Sequence, residues 1–542
     1  MKYYVPVYTC CLLSMLTLLS PVAAQEKDTI EPIKSKVGNI VVISNPIFDL
    51  SDPETFFIHE WANLLHINTL ETTTLNNLPF EEGDDVTDNE IAEAQRLLRQ
   101  EAYIRDASIS ISEVDDPDAD ADTGKQVIVE TWDNWSLLPI LDFSSSGGET
   151  KYSIGVKEDN LLGLGVKTRL KYQSDADRSG YKFSISTPVY FIKHAKLSID
   201  LLDNSDGELT QVRFTNPFYS LNSPYMYSFN VKQETRVDTV RQNGNDVNEF
   251  VHDIEYADVR FGWLANKTES DLHRFTVGVT QDKHTFDNTL IYPDGELPRD
   301  RDFLYPWLGY EYIEDDYEVL RNIYVISKNE DFNLGWYHSL KFGLETQDVS
   351  PDSDLGYHFN FYSSKGYSHD EHLVLLKLSG QMTLNTLQDD FYNVSAQAEY
   401  FYQFSEKWKG YLKGVAATSQ NNYIDHTFAL GDNTGLRGYP NDYQHGDNQW
   451  LLTAELRNYP NFNLYQLADL GWVVFTDVGH AYGGPDENNE VDSPLGSVGV
   501  GARIYSSKSS YSSVAHIDLA VPFTQGEGTN DWEFRFQVKN HF

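Results

Sequence analysis

Cysteine is almost absent from this chain. Of 542 residues only Cys10 and Cys11 are cysteines, and both fall within the first 24. Residues 1–24 have the pattern of a cleavable export signal: Lys2 near the start, an apolar stretch, and small residues at the end. We expect this segment to be removed, which leaves a mature chain without disulfides, thiol catalysis or cysteine-ligated metal sites.

Long hydrophobic runs are also missing. After residue 24 no apolar run reaches the roughly eighteen residues of a membrane-spanning helix, so the sequence predicts none. Aromatic residues are frequent instead, with 34 Tyr and 29 Phe. With an export signal, this composition favours a β-barrel, whose strands are apolar on one side only, or a large secreted β-sandwich or propeller. Composition alone leaves both open.

Positive charge is scarce. The chain has 41 Lys and Arg against 82 Asp and Glu, a formal charge of −41. This balance argues against nucleic acid as a partner, because phosphate binding needs clustered basic residues. Many acidic residues lie in turn-like stretches such as 81–85, 115–122 and 314–316. They are interpreted as solvated loops; the alternative is a cation-bridged contact with anionic lipopolysaccharide.

The sequence pattern of residues 37–134 predicts a small α/β domain with the element order β-α-α-β-β. A short linker over residues 25–36 precedes it. Asp52-Pro53 has the chemistry of a helix start, and the helix carries Phe56, Phe57, Trp61, Leu64 and Leu65 roughly on one face. A capping box from Thr87 to Glu90 opens a second helix. Strands are predicted over 37–43, 107–112 and 126–132.

Residues 138–542 alternate between apolar and polar with a period of two. The last nine residues show it well, with Phe534, Phe536, Val538 and Phe542 on one side and charged or polar residues on the other. Such strands suit lipid outside and water inside. At about 25 residues per strand and loop, about 400 residues give a mostly β fold, an antiparallel transmembrane barrel of roughly 16 strands.

One arginine stands out in the Gly-rich segment Gly431-Asp-Asn-Thr-Gly-Leu-Arg-Gly-Tyr-Pro440. Inside a barrel, Arg437 must reach a carboxylate, because an unpaired charge in a confined lumen costs several kcal/mol. Glu455 and Asp477 follow downstream and are the predicted partners.

Several motifs together resemble the bacterial surface antigen superfamily, which contains the BamA/TamA-type outer-membrane assembly factors and is related to the two-partner secretion transporters. They are Glu93-Ala-Gln-Arg-Leu-Leu-Arg99, Tyr103-Ile-Arg-Asp-Ala107, Glu158-Asp-Asn-Leu-Leu-Gly-Leu-Gly165, Leu436-Arg-Gly-Tyr439, Gly446-Asp447, Glu455-Leu-Arg457, Phe475-Thr-Asp-Val-Gly479, Ser497-Val-Gly-Val-Gly-Ala-Arg503 and Ile517-Asp-Leu-Ala-Val-Pro522.

The resemblance implies a 16-stranded barrel in the bacterial outer membrane with one periplasmic POTRA-like domain. It implies that Leu436, Arg437, Gly438 and Tyr439 form a loop tip folded into the lumen, with Arg437 paired to Asp477. The chain departs from the family in having a single POTRA-like unit, where BamA-type proteins usually carry five, TamA-type proteins three and two-partner transporters two.

No catalytic chemistry is indicated, so an enzyme, a cofactor and a metal are not expected. Asp118, Asp120 and Asp122 fail the spacing of a calcium loop, and His59 and His66 lack a carboxylate pair at zinc-ligand spacing.

Three functions stay open. The first is insertion or translocation of an unfolded polypeptide client, held by the POTRA-like domain and passed to a lateral seam. The seam is predicted between a first strand around Tyr152 and Val156 and a last strand from Phe534 to Phe542. The second is secretion of a polypeptide through the lumen, and the third is a passive barrel. Outer-membrane lipid and lipopolysaccharide are the expected surroundings.

Overall fold

The computed structural model describes residues 34–112, 125–426, 428–484, 488–511, 513–526 and 528–539. The predicted export signal, residues 25–33 of the linker, the acidic turn at 115–122 and Phe542 lie outside these residues. In the part of the chain that is described, no helix has the length and apolar character needed to span a membrane.

The N-terminal domain is a four-stranded sheet covered by helices, in the order β2-β1-β4-β3. Strands β1 and β4 are parallel, and the other neighbours are antiparallel. The elements are β1 Ser35–Asn45, α1 Phe57–Leu65, α2 Glu71–Asn76, β2 Asp85–Val86, α3 Asp88–Gln100, β3 Ile104–Ser112 and β4 Lys125–Asp133. The predicted order β-α-α-β-β was wrong, because it lacks the short elements α2 and β2. The predicted helix start at Asp52-Pro53 was also wrong, because α1 begins at Phe57.

Helix α3 begins at the capping box that the sequence predicts. The Thr87 hydroxyl accepts a hydrogen bond from the Glu90 amide at 3.3 Å, and the Glu90 carboxylate accepts one from the Thr87 amide at 2.8 Å. The buried face of α3 packs on the sheet in a core that includes Leu78, Phe80, Ile91, Leu98, Val127 and Val129.

Helix α1 lies differently. Its buried residues are His59 and Ala62, while Trp61 is 61% and Leu64 80% exposed. The apolar face that the sequence predicts therefore points away from the domain.

Residues 137–539 form a closed antiparallel barrel of 20 strands. The strands are β5 Leu137–Ser146, β6 Glu149–Leu161, β7 Val166–Ser174, β8 Ser179–Pro188, β9 Lys196–Asn204, β10 Gly207–Asn216, β11 Tyr225–Gln242, β12 Asn245–Lys267, β13 Asp271–Asn288, β14 Arg301–Glu314, β17 Tyr337–Glu345, β18 Gly356–His369, β19 His372–Leu384, β20 Phe391–Gln403, β21 Trp408–Gln420, β24 Asn448–Asn458, β26 Ala468–Tyr482, β27 Leu495–Ser506, β28 Val514–Pro522 and β29 Glu533–Lys539.

Five short strands complete the described part of the chain. They are β15 Tyr317–Arg321 and β16 Asn329–Asn333, which pair with each other, β22 Ala429–Leu430 and β23 Gln444–His445, which also pair, and β25 Asn463–Leu464, which continues the pairing of β24 with β26. Two 3₁₀ turns lie at Ile424–His426 and Asp432–Thr434.

The predicted number of 16 strands was wrong. The estimate assumed about 25 residues per strand and loop, whereas the chain uses about 20. Many turns are tight: two residues connect β5 to β6, β9 to β10 and β11 to β12. Gly147 and Gly148 make the first of these with φ of +59° and +79°, a conformation that favours glycine.

The two ends of the barrel differ. At one end, here the domain end, the turns at 162–165, 189–195 and 217–224 contact the N-terminal domain through residues such as Gly163, Lys193 and Tyr219. The other end, here the loop end, carries the β5–β6 turn and the long loop 421–447.

The first barrel strand is β5, so the prediction that Tyr152 and Val156 lie on the first strand was wrong. They belong to β6, where Tyr152 pairs with Phe143 of β5 on one side and Ser174 of β7 on the other. Strand β5 contains Pro139 and a run of serines, which weakens its apolar alternation. The seam of the barrel lies between β5 and β29.

Candidate functional site: loop tip, lumen hairpin and seam

Loop 421–447 folds back into the barrel. Leu436, Tyr439 and Tyr443 are fully buried and pack with apolar residues of β24, β26 and β27. Gly435 and Gly438 have φ of +111° and +91°, which lets the chain reverse on both sides of Arg437. A Cβ on Gly438 would also lie 3.2 Å from that of Ala520, so the loop is pressed against the wall.

Arg437 at the tip meets its predicted partners. Its Nε and Nη2 donate to the two Asp477 oxygens at 2.6 and 2.8 Å, and its Nη1 donates to Glu455 Oε1 at 2.8 Å. The guanidinium lies 3.5 Å from the ring centre of Phe475. This bidentate, stacked contact fixes the orientation of the side chain as a lysine could not.

Glu455 connects the loop tip to a second arginine. Its other oxygen accepts from Arg457 Nε at 2.8 Å, and Arg457 Nη1 donates to the carbonyl of Ile323 at 3.1 Å. Arg457 also lies 3.8 Å from the ring centre of Tyr411. Two arginines and two carboxylates thus balance in charge inside the lumen.

A second anchor ties the loop to the seam strand. Asp432 accepts from Arg535 Nη2 at 3.0 Å and from Gln537 at 2.9 Å. Arg535 in turn donates to Asp518, which also pairs with Arg503. The sequence reasoning missed this contact, although the alternation of β29 already places Arg535 on the polar side.

Residues 317–333, here the lumen hairpin, enter the barrel from the domain end. The connecting residues Ile323, Val325 and Ile326 are buried. Glu330 holds this turn by accepting the amides of residues 323, 324 and 325 at 2.9 to 3.0 Å. The hairpin packs on inward-facing wall residues that include Leu373, Leu375, Phe401, Tyr411, Tyr459, Val473 and Tyr505.

The N-terminal domain covers the domain end through ion pairs. Arg99 donates to both oxygens of Asp331 on the lumen hairpin at 2.6 and 3.1 Å. Glu101 accepts from Lys167 at 2.9 Å and Lys196 at 2.8 Å, on β7 and β9. Burial alone would raise the pKa of Glu101, but the two lysines lower it to about 2.

His59 and His66 have structural partners. His66 Nε2 lies 2.9 Å from the buried Asp133 carboxylate, and His59 Nε2 lies 3.0 Å from the Tyr465 carbonyl in the β24–β26 turn. Both histidines therefore help to hold α1 in place.

The seam is weakly paired in the described residues. Strands β5 and β29 share one Cα pair, Phe536 with Ser145, whereas β5 and β6 share ten pairs and β28 and β29 seven. Beside that pair lies a cavity of about 610 Å³, which is lined by residues of β5 and β29, such as Ser144 and Gln537, and also by residues of β6, β7 and the β27–β28 turn. Two hydrogen bonds join the start of β5 to the β27–β28 turn at the domain end. The Trp135 amide donates to the Lys508 carbonyl, and the Tyr511 hydroxyl donates to the Pro139 carbonyl.

Comparison with known proteins gives distant structural matches only. No family model matches the sequence, and no curated protein sequence matches it. Among solved structures, BamA from Haemophilus ducreyi lacking POTRA domains 1–3 is 13% identical, with a TM-score of 0.43 over 93% of this chain and 84% of that chain. CdiB from Acinetobacter baumannii is 11% identical, with a TM-score of 0.48 over 94% and 74%. CdiB from Escherichia coli is 12% identical, with a TM-score of 0.47 over 94% and 76%.

Proposed function

We propose that this chain is an outer-membrane protein that inserts or assembles polypeptide clients at the seam between β5 and β29, without catalytic chemistry. The observation that carries the proposal is the weak pairing at the seam.

A membrane location is supported by the two faces of the wall. Exposed apolar side chains point outward from successive strands, while buried charged side chains point inward. The outward set includes Leu378, Leu412, Leu452, Val474, Val500 and Leu519. We place the wall in lipid and lipopolysaccharide and the N-terminal domain, as a POTRA-like domain, in the periplasm.

An open strand edge gives the seam its capacity to act. Backbone N–H and C=O groups without partners are costly in lipid, so a strand that pairs over a short length gains by pairing with a client strand. The anchor from Asp432 to Arg535 places the loop directly behind β29, where it can sense or limit separation of the seam.

The N-terminal domain offers a second edge to an unfolded client. In the described residues β3 pairs only with β4, so the outer edge of β3 is free for strand addition. The exposed aromatic face of α1, with Phe57, Trp61 and Leu64, lies beside the barrel turn that contains Tyr465. Such a face suits the lipid–water boundary.

A disulfide across the seam tests the proposal. Ser145 and Phe536 are Cα partners, so the double variant Ser145→Cys/Phe536→Cys in a chain lacking its first 24 residues forms a bond only there. We expect the oxidised protein in liposomes to lose its ability to fold a urea-denatured outer-membrane barrel, and reduction to restore it. Heat-modifiability on gels measures client folding.

The matched control joins β5 to β6 instead. Ser145 is also the Cα partner of Thr150, so Ser145→Cys/Thr150→Cys introduces a disulfide that does not cross the seam. This variant should assemble clients whether oxidised or reduced. Full activity of the oxidised seam variant would exclude lateral insertion.

Secretion through the lumen is the second candidate. Side-chain contacts hold the lumen hairpin and the loop tip, and neither is a strand of the barrel wall, so both could be displaced without opening the wall. It predicts that the seam disulfide is tolerated and that client passage requires displacement of the lumen hairpin. A passive barrel predicts no effect of either change on any client.

A further inference from the structure

Two histidines face each other inside the barrel near the loop end. His252 of β12 and His284 of β13 lie with His252 Nε2 at 2.8 Å from His284 Nδ1. His252 is 1% exposed. Asp425 of loop 421–447 completes the group, and one donor atom from each of the three residues lies within 4.8 Å of the others.

Each imidazole has its own carboxylate on the far side. Asp238 Oδ2 lies 2.6 Å from His252 Nδ1, and Asp282 Oδ1 lies 3.0 Å from His284 Nε2. An ionised carboxylate only accepts hydrogen bonds, so these two ring nitrogens carry the protons. In the neutral rings the facing nitrogens, His252 Nε2 and His284 Nδ1, then both present lone pairs.

Two lone pairs at 2.8 Å repel unless a cation lies between them. A shared proton is one such cation, and a metal ion is the other. A carboxylate behind each ligating histidine is the usual surrounding of a protein-bound metal, because it fixes the tautomer and raises the basicity of the ligand. Both rings have this partner, and a third donor is present in Asp425.

Asp425 is held in position for this role. Arg301 donates to its two oxygens at 3.0 and 2.7 Å, and both side chains are nearly inaccessible to solvent. Phe286 covers the site, with its ring centre 4.4 Å from that of His252. The three carboxylates of the group outnumber its two arginines, Arg301 and Arg236, by one, so the group can accept one more positive charge.

We propose that His252, His284 and Asp425 form a site for a divalent transition metal of the zinc type, with Asp238 and Asp282 positioning the two histidines. Two imidazoles and one carboxylate suit zinc and its neighbours rather than calcium or magnesium, which prefer oxygen ligands alone. A tetrahedral ion with bonds of about 2.05 Å needs nitrogens about 3.3 Å apart, so the rings need to separate by about 0.5 Å.

The metal would link loop 421–447 to the wall. Asp425 belongs to the loop, whereas both histidines belong to the barrel strands, so binding would tie the start of the loop to β12 and β13. The site stands on its own geometry and does not depend on the proposed client activity.

Cobalt spectroscopy on the whole mature protein in detergent tests the site. After removal of bound metal with a chelator, titration with Co²⁺ should give visible d–d bands that saturate at one equivalent and disappear on addition of Zn²⁺. His252→Gln and His284→Gln should each lower Zn²⁺ affinity at least 100-fold in calorimetry. Asp282→Asn, which changes only a positioning residue, should lower it about 10- to 100-fold.

His369→Gln is the matched control, because His369 is an exposed histidine of the same barrel, 88% accessible at its side chain. It should bind Zn²⁺ as the natural protein does. Equal affinity in the His252 and His284 variants, with heat-modifiability showing that they fold, would overturn the proposal. So would absence of Zn²⁺ binding together with ¹⁵N chemical shifts of an imidazole–imidazolium pair, which would identify the cation as a proton.

Discussion

At the scale of single residues, Arg437 is held by several contacts at once. It satisfies two buried carboxylates from β24 and β26, and stacks on Phe475 between them. Its removal leaves Asp477 and Glu455 with one arginine, Arg457, in a confined space. Loss of one partner of a buried pair is far more damaging than loss of an exposed pair.

We therefore expect Arg437→Ala to lower the free energy of unfolding by about 3 to 5 kcal/mol and to raise hydrogen exchange at residues 431–440. Arg437→Lys keeps the charge but loses the bidentate contact, so its effect should be intermediate. Hydrogen-exchange mass spectrometry measures the exchange at residues 431–440 in both variants, and urea titration measures their free energy of unfolding.

The control for this prediction is Arg299→Ala. Arg299 and its partner Asp389 are 4.0 Å apart and both largely exposed, so the change should be nearly silent. Unchanged exchange at 431–440 in the Arg437 variants would show that the loop is held by its apolar packing instead.

At the scale of elements, the lumen hairpin is the part with the clearest separate role. A barrel of 20 strands lies between porins of 16 to 18 strands, which keep an open channel, and 22-stranded transporters, which carry a plug. Here the hairpin and the loop tip occupy the lumen from opposite ends, and Arg457 connects them. We therefore expect the lumen hairpin and the loop tip to keep the barrel closed to ions.

Replacing residues 320–330 by a Gly-Ser linker should raise single-channel conductance in planar bilayers at least several-fold, because it removes Ile323, Val325 and Ile326 from the lumen. Shortening the loop-end segment 289–299, where Leu290 is fully exposed, is the matched change and should leave conductance low. A hairpin variant that stays closed would mean that the loop and the N-terminal domain suffice.

At the scale of the whole molecule, the N-terminal domain lies docked on the barrel. Arg99 contacts the lumen hairpin, Glu101 contacts two wall strands, and Glu93 accepts the Leu221 amide at 2.7 Å. Transfer of a client to the seam would require this docking to be reversible.

Docking should weaken in acid. Docked Glu101 has a pKa of about 2 against an ordinary 4.5. Because the pKa of Glu101 is lower in the docked state, its ionised carboxylate stabilises docking fully above pH 4.5, and this contribution is lost as pH falls through about 2. Energy transfer between dyes on Ser110→Cys and Leu290→Cys should be constant from pH 7 to 5 and change between 4.5 and 2.

Glu101→Gln should remove the Glu101 part of that transition. Glu81→Gln is the control, because the Glu81 side chain is 69% accessible in its pair with Lys193, which also joins the N-terminal domain to the barrel. This variant should leave the transition nearly unchanged. If the Glu101 variant titrates as the natural protein does, other groups control the docking.

The sequence by itself determined the kinds of element and several of their positions. The Thr87 capping box, the period-two alternation and the change of pattern near residue 138 depend on neighbouring residues, so they can be read along the chain. Arg437 with Glu455 and Asp477 could also be anticipated, because a buried arginine requires a carboxylate and both acidic residues lie in motifs that resemble the bacterial surface antigen superfamily.

Only the tertiary structure decided the closure of the barrel and the contacts across it. The number of strands depends on turn lengths, which short turn sequences specify weakly. The sequence did not reveal β5 as the first strand, because Pro139 and the serines obscure its alternation. His252, His284 and Asp425 lie 32 and 141 positions apart, so no motif spacing connects them. They meet because two neighbouring strands and a returning loop converge in the lumen, a proximity that the linear order of residues does not contain.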